Sequence, residues 1–279
     1  MGQRFHDAKA GIIIFSLIFI LICFGTGQVV AQEFLPASPY GGKQQLKEFI
    51  NEHQVYPRYD LSSGKEGNVA LAFDIDVNGN TSQLKILQAV SPAINKEALR
   101  IFNLLLWEPA SYRGKSVIDH MEITIPFNIK HYRKISHSRG YDTIAFPFRP
   151  VDTSLKVYTF KQTNKVPVPI FKEKGVTFQS FMKENFHYPD LAFKQNITGI
   201  VVVNFVVETD GLISNVRANN HLGAGCTEEA IRLAKLIRWM PGIIDGKAVR
   251  VSMNLSITYS LDGKNKFEYQ PNQASNSMN

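Results

Sequence analysis

At 279 residues the chain has room for about two domains of ordinary size, and a hydrophobic content of 44% lets each bury a core. The formal net charge of +7 could serve nucleic acid, anionic lipid or cell-wall polymer, but its richest stretch, 130–139, is too sparse for a dedicated patch, and the export signal described next argues against nucleic acid. Two cysteines, Cys23 and Cys226, exclude a disulfide framework once the first is accounted for.

The first segment stands apart from the rest. Arg4 and Lys9 precede an apolar run from Gly11 to Phe24 (24 − 11 + 1 = 14 residues), Gly25-Thr26-Gly27 breaks it, and Val29-Val30-Ala31 leads to Gln32. A basic, then apolar, then small-residue order is that of a secretory signal over 1–31, and the run is shorter than the roughly 20 residues that span a bilayer. A retained anchor continuing to Val30 is the alternative. Loss of Arg4, Lys9 and Asp7 with the signal would leave a net charge of +6 (7 − 1). Cys226 would then lack a partner; its counterpart below is Ile94, so it reads as a structural residue.

From about residue 41 one pattern is written twice at a constant offset of 132 (188 − 56; 239 − 107). Tyr56-Pro57, Gly67, Gly79, Glu97-Ala98, Trp107, Pro109 and Gly114-Lys115 recur as Tyr188-Pro189, Gly199, Gly211, Glu229-Ala230, Trp239, Pro241 and Gly246-Lys247. Two copies of one small fold follow. Leu46, Phe49 and Ile50, and Phe178, Phe181 and Met182, have the spacing of a short amphipathic helix, which Tyr-Pro closes. Val69, Leu71, Phe73, Ile75 and Val77 alternate with polar or small residues, as do Val201, Val203, Phe205 and Val207. Period two predicts half-buried antiparallel strands. Asn78-Gly79 and Asp210-Gly211 predict tight turns into second strands through Leu84 and Ile86, or Ile213 and Val216. Second helices are expected from caps near Asn95 and Thr227, carrying apolar stripes Ala98, Ile101, Phe102, Leu105 and Ala230, Leu233, Ala234, Ile237. Trp-x-Pro stops each helix, and Gly-Lys turns the chain into a last strand, Val117–Phe127 or Val249–Tyr259, with Asp119 interrupting the first.

The fold class is therefore α+β: two tandem domains, 41–132 and 174–263, each a three-stranded antiparallel sheet with two helices in the order α-β-β-α-β. A linker with some order, including a strand within 156–160, spans 133–173. The polar tail 264–279 is expected to fray.

Catalytic patterns are missing. Gly114-Lys115-Ser116 has Pro109 where a phosphate loop needs glycine and precedes a strand rather than a helix. The histidines are scattered, none matches another across the repeat, and no metal or cofactor is implied. There is no Gly-x-Ser-x-Gly elbow.

Tyr188-Pro189-x-x-Ala192, Gly199-x-Val201-x-Val203-x-Phe205, Asp210-Gly211, Glu229-Ala230, Trp239-x-Pro241-Gly242 and Gly246-Lys247-x-Val249 resemble the C-terminal domain of TonB, the periplasmic protein that transmits inner-membrane energy to outer-membrane transporters. The resemblance covers about 175–262 and, less closely, 42–130, where Tyr59-Asp60-Leu61 lacks the alanine, Asn78 replaces Asp and Ala110 stands for glycine. It implies a non-enzymatic envelope protein that binds extended segments of envelope proteins, in the family the N-terminal segment of TonB-dependent transporters. An edge strand offers unpaired N–H and C=O groups to such a guest. The expected acceptor is Val249, Arg250, Val251, Ser252, Met253, Asn254, Leu255, Ser256, Ile257, Thr258 and Tyr259, with Val117–Phe127 second. The sequence departs from TonB in lacking a long Pro-rich spacer and an intramembrane histidine. Alternatives are an anchored energy transducer coupled to ExbB/ExbD and an envelope scaffold holding cell-wall polymer; a homodimer through open edges also stays open.

Overall fold

The alternating stretches of both copies form strands, and the apolar stripes form helices against them. The computed structural model describes residues 34–139, 150–171 and 173–271; the signal or anchor segment lies outside them. Copy one contains helices α1 (Gly42–His53) and α2 (Arg58–Ser62), strands β1 (Gly67–Ile75) and β2 (Thr81–Gln88), helix α3 (Pro92–Leu104), strand β3 (Asp119–Phe127) and helix α4 (Ile129–Arg139). Copy two contains α5 (Phe178–Asn185), α6 (Asp190–Lys194), β4 (Gly199–Val207), β5 (Ile213–Ala218), α7 (Cys226–Leu236), β6 (Lys247–Tyr259) and β7 (Lys266–Pro271). Shorter strands at 34–35, 38–39, 107–108, 110–112 and 115–117, and at 157–158, 168–170, 238–240 and 242–244, join the turns.

Several expectations change in detail. Each Tyr-Pro is followed by a short helix, α2 or α6, whose first residue comes directly after proline. That is where the fixed φ and missing N–H of proline cost least. Helix α3 starts at Pro92 because Ser91 is its cap, accepting from Ile94 N at 3.1 Å. Asn95 lies inside the helix and accepts from Val90 N instead. Thr227 likewise lies inside α7, after Gly225 in a left-handed conformation.

Copy one's sheet is three-stranded, in the order β2-β1-β3. Its inner face carries Val69, Leu71, Phe73, Ile75, Ile125 and Phe127 against Phe49, Ile50, Ile94, Ala98, Ile101 and Phe102 of α1 and α3. Copy two departs from the expected three strands: its sheet has six, because 242–244, 157–158 and β7 add to the β5-β4-β6 core. Within the tail expected to fray over 264–279, residues 266–271 form β7; 272–279 lie outside the described residues.

The copies meet directly. The end of α3 rests on β5, where Asn215, at φ 52°, accepts from Leu106 N at 2.7 Å and donates to Leu104 O at 3.0 Å. Its counterpart Gln83 also has a left-handed conformation, φ 54°. Ion pairs join Glu108 to Arg217 and Glu48 to Lys235. His53 Nε2 lies 3.3 Å from Ile213 O.

Candidate functional site

The residues of the recurring pattern are architectural. Gly211 has φ 79°, and a Cβ there would lie 2.1 Å from Trp239 O. Its own carbonyl accepts from Trp239 N at 3.0 Å. Glu229 takes His187 N at 2.8 Å and pairs with Arg232; Glu97 does the same with Val55 N and Arg100. Each glutamate thus ties its second helix to the chain leaving the first. Tyr188 donates to Ile197 O and Tyr56 to Lys65 O. Pro189 precedes α6, Ala192 is that helix's buried residue, and Ala230 and Trp239 are buried in the core. Gly199 and Gly242 leave no room for a side chain, against Leu222 and Val251 respectively, and Gly246 turns the chain into β6. Asp210 is buried, accepts from Leu212 N at 2.9 Å, and is pushed up in pKa by that burial. Burial also pushes up the Cys226 thiol. These groups do not converge on one cleft, and among the described residues no group of His, Cys, Asp and Glu could hold a metal.

The expected acceptor edge at Val249–Tyr259 is not open. Residues 251–259 of β6 pair with β4 on one side. On the other, 247–249 pair with 242–244, Arg250 and Val251 with 157–158, and 253–258 with β7. The alternation that suggested an edge describes a strand covered on both flanks. Val249, Val251, Met253, Leu255, Ile257 and Tyr259 face the core. Arg250, expected on a free edge, is 4% exposed; it binds Glu208 through Nε at 2.8 Å, Leu104 O at 2.8 Å and Leu155 O at 2.6 Å. Ser252, Asn254, Ser256 and Thr258 lie on the partly exposed face of the same strand.

Strand β7 is fixed by aromatic packing. Phe267 is buried, with its ring 5.3 Å from that of Phe186. Tyr269 packs edge-on against Trp239 at 5.3 Å and Phe178 at 4.8 Å. Gln179 Nε2 donates to Phe267 O at 2.7 Å. The alternation Phe267, Tyr269 after Asp262-Gly263 is a hairpin signal, hidden in the sequence by the polar tail that follows.

The second expected edge is different. Strand β3 pairs with β1 from Asp119 to Phe127, and among the described residues no strand pairs with its other side. Pro126 has no N–H to give β1, so the even-numbered residues must point their backbone groups outward. Gln54 Nε2 confirms the direction by donating to Pro126 O at 2.8 Å. The strand end carrying Thr124 and Pro126 borders a groove of about 320 Å³ between α1, β3 and the start of α4, and the outward groups of His120 and Glu122 continue the same edge beyond it. Its walls include Leu46, Ile50, Thr124, Lys43, Lys47 and His131. Leu46 and Ile50 were legible as a helix stripe, but nothing in the sequence placed that stripe beside an open strand. The outer edge of β2 is also unpaired among the described residues. Its register with β1 shifts twice and Gln83 bends it, features that protect an edge from pairing.

Among the described residues no helix is long and apolar enough to cross a membrane. No curated protein matches the chain. The family model for the Gram-negative bacterial TonB protein C-terminal matches residues 52–129 and again 184–261, one match on each copy.

Proposed function

For a chain that belongs to the TonB C-terminal family twice over, we propose a non-enzymatic role in the cell envelope, in which the outer edge of β3 receives an extended segment of another envelope protein as an added strand. Membership implies a TonB-like envelope protein linked to TonB-dependent transport. The observation that carries the finer reading is the pair of edges. Strand β6 of copy two is flanked on both sides by its own chain, and its counterpart β3 of copy one presents outward backbone groups beside a groove walled in part by Leu46 and Ile50. Main-chain hydrogen bonds would supply affinity, and the groove would select side chains at alternate positions. The guest class is the N-terminal segment of a TonB-dependent transporter. Anchoring and coupling to ExbB/ExbD turn on residues 1–31 and are not needed for this reading.

The test is a titration of the full chain with synthetic transporter N-terminal peptides, followed by backbone amide signals. Shifts and slower exchange at His120, Glu122 and Thr124 are expected. Glu122→Pro removes one outward N–H without touching the β1 ladder, so it should abolish binding in a protein with an unchanged circular dichroism spectrum. Peptides that bind while those amides stay unmoved would refute the site.

A further inference from the structure

The copies touch through two different faces. Copy one contributes the ends of α1 and α3; copy two contributes its β4–β5 hairpin and Arg250. Phe49, Glu52 and Leu105 lie against Ile213–Val216, and Glu52 Oε1 stands 3.7 Å from Lys235 Nζ. Leu104 O accepts from both Asn215 and Arg250. None of these residues of one face is the 132-shifted counterpart of one on the other. The contact is therefore heterologous, and such a contact made once leaves one face of each kind over.

Among the described residues both remaining faces are open. Shifted by 132, Phe49, Glu52, His53, Leu104 and Leu106 become Phe181, Glu184, Asn185, Leu236 and Arg238. All five line one groove of about 340 Å³. On the hairpin side, Ile213–Val216 are buried, whereas their counterparts Thr81, Ser82 and Gln83 are exposed. Gln83 nonetheless keeps the left-handed conformation of Asn215, φ 54° against 52°.

The free faces are apolar where the inner contact is polar. Arg250 and Glu108 correspond to Ile118, 70% exposed, and Met240, 42% exposed; Leu104 corresponds to Leu236, 43% exposed. Arg250 reaches Leu104 O within the chain, so the same geometry sets Ile118 against Leu236. The charges keep their sense. Inside, Arg217 and Lys235 meet Glu108, Glu48 and Glu52. Outside, Lys85 stands at the place of Arg217 and Glu184 at that of Glu52. One difference widens the gap. A Cβ on Gly41 would lie 2.4 Å from Val216 O, and 171–173 of copy two hold no glycine. The outer contact is therefore looser than the inner one.

We infer that molecules of this chain associate head to tail, the β1–β2 hairpin and Ile118 of one seated in the groove of the next at Phe181, Leu236 and Arg238. A second copy is the occupant because the matching hairpin already sits in the matching seat within each molecule. Every addition leaves one face free at each end, so assembly runs past the dimer or closes as a ring. It uses neither the edge of β3 nor that of β7.

The test is sedimentation velocity of the full chain over a concentration series. Ile118→Glu spoils the hairpin face alone and Leu236→Glu the groove face alone, since each sets a charge against apolar groups. The average mass of the unmodified chain should rise with concentration. Each variant should need at least about tenfold more protein for the same rise, with an unchanged circular dichroism spectrum. Mixed in equal amounts, the two variants should form a dimer that grows no further, because each keeps the face that the other lacks. Met240→Glu takes the place of Leu236→Glu if the latter misfolds. A chain that stays monomeric at millimolar concentration overturns the inference. So does association that neither variant weakens, or a pair of variants that fails to complement; either result assigns self-association to another face, such as an open strand edge.

Discussion

Replacing Phe267 with alanine should free β7 and uncover the flank of β6 without unfolding the protein. Each ladder hydrogen bond contributes about 1 kcal/mol net, and fixing each residue's backbone costs about 1–2 kcal/mol. For a short terminal strand these terms nearly cancel, so side-chain burial decides whether it stays. Phe267 is 2% exposed, and truncating such a phenylalanine costs about 3–5 kcal/mol. At a factor of ten per 1.4 kcal/mol, local opening should become at least about 100-fold more frequent. The amides that respond can be named. Val202 O accepts from Asn219 N and Ile200 O from Asn220 Nδ2, so the even positions of β4 face away from β6. Opposite them, Asn254, Ser256 and Thr258 face β7. Hydrogen exchange should accelerate at those three and stay slow at Met253, Leu255 and Ile257, which β4 holds. Unchanged protection at the even positions would refute the claim that Phe267 anchors β7. Equal loss at odd and even positions would show that the sheet opens as one unit.

Arg250→Met should destabilise the fold by about 3–5 kcal/mol in denaturant titration, because it leaves Glu208 buried without its cation; Arg250→Met with Glu208→Gln should recover much of that loss, and strict additivity would contradict a direct pairing. Gly211→Ala should cost clearly more than Gly246→Ala, although both glycines have φ near 75–79°, because only at 211 would the new Cβ meet a backbone oxygen; equal losses would remove the close approach as a cause. Burial raises the Asp210 carboxyl, so the folded state holds that proton more tightly than the unfolded one. The stabilisation is complete below the ordinary carboxylate value of about 3.9 and is lost as pH rises through the folded value. Asp210→Asn should therefore raise the thermal midpoint at pH 7 and leave it unchanged near pH 3; a gain at both would assign the effect to something other than ionisation.

The repeat and its main elements were legible because hydrophobic period is a local property. The alternation at Val201, Val203 and Phe205 and the stripe at Ala230, Leu233 and Ala234 point the same way with or without neighbours. The state of an edge is not local. Val249–Tyr259 alternates identically whether one flank or two are covered, and what covers the second flank comes from 157–158 and 266–271, segments with weak patterns of their own. Arg250 misled for the same reason: a charged residue in the outward row reads as solvated, but here it reaches Glu208 and the end of α3. The groove was illegible because its two walls, Leu46 with Ile50 and Thr124 with Pro126, lie far apart in the chain.

Why the copies differ traces to the residues just after each last strand. After Phe127, Asn128 Oδ1 accepts from His131 N at 2.8 Å and Asn128 O from Tyr132 N at 2.9 Å, the arrangement of a helix cap, and the chain leaves as α4. After Tyr259, Ser260 N donates to Asn265 Oδ1 at 2.8 Å and Gly263 takes φ 75°, so the chain folds back as a hairpin and becomes the neighbouring strand. A helix cannot satisfy the outward N–H and C=O groups of the strand it leaves, whereas a hairpin does so automatically. On the other side of the copy-two sheet, the Asn215 side chain of β5 holds the chain at Leu104 and Leu106. Duplication therefore did not leave β3 and β6 with equivalent flanks. A cap at 128 and a turn at 262–263 leave the flank of β3 uncovered in copy one and cover that of β6 in copy two, where the unpaired edge passes to β7, although copy two carries the fuller family pattern.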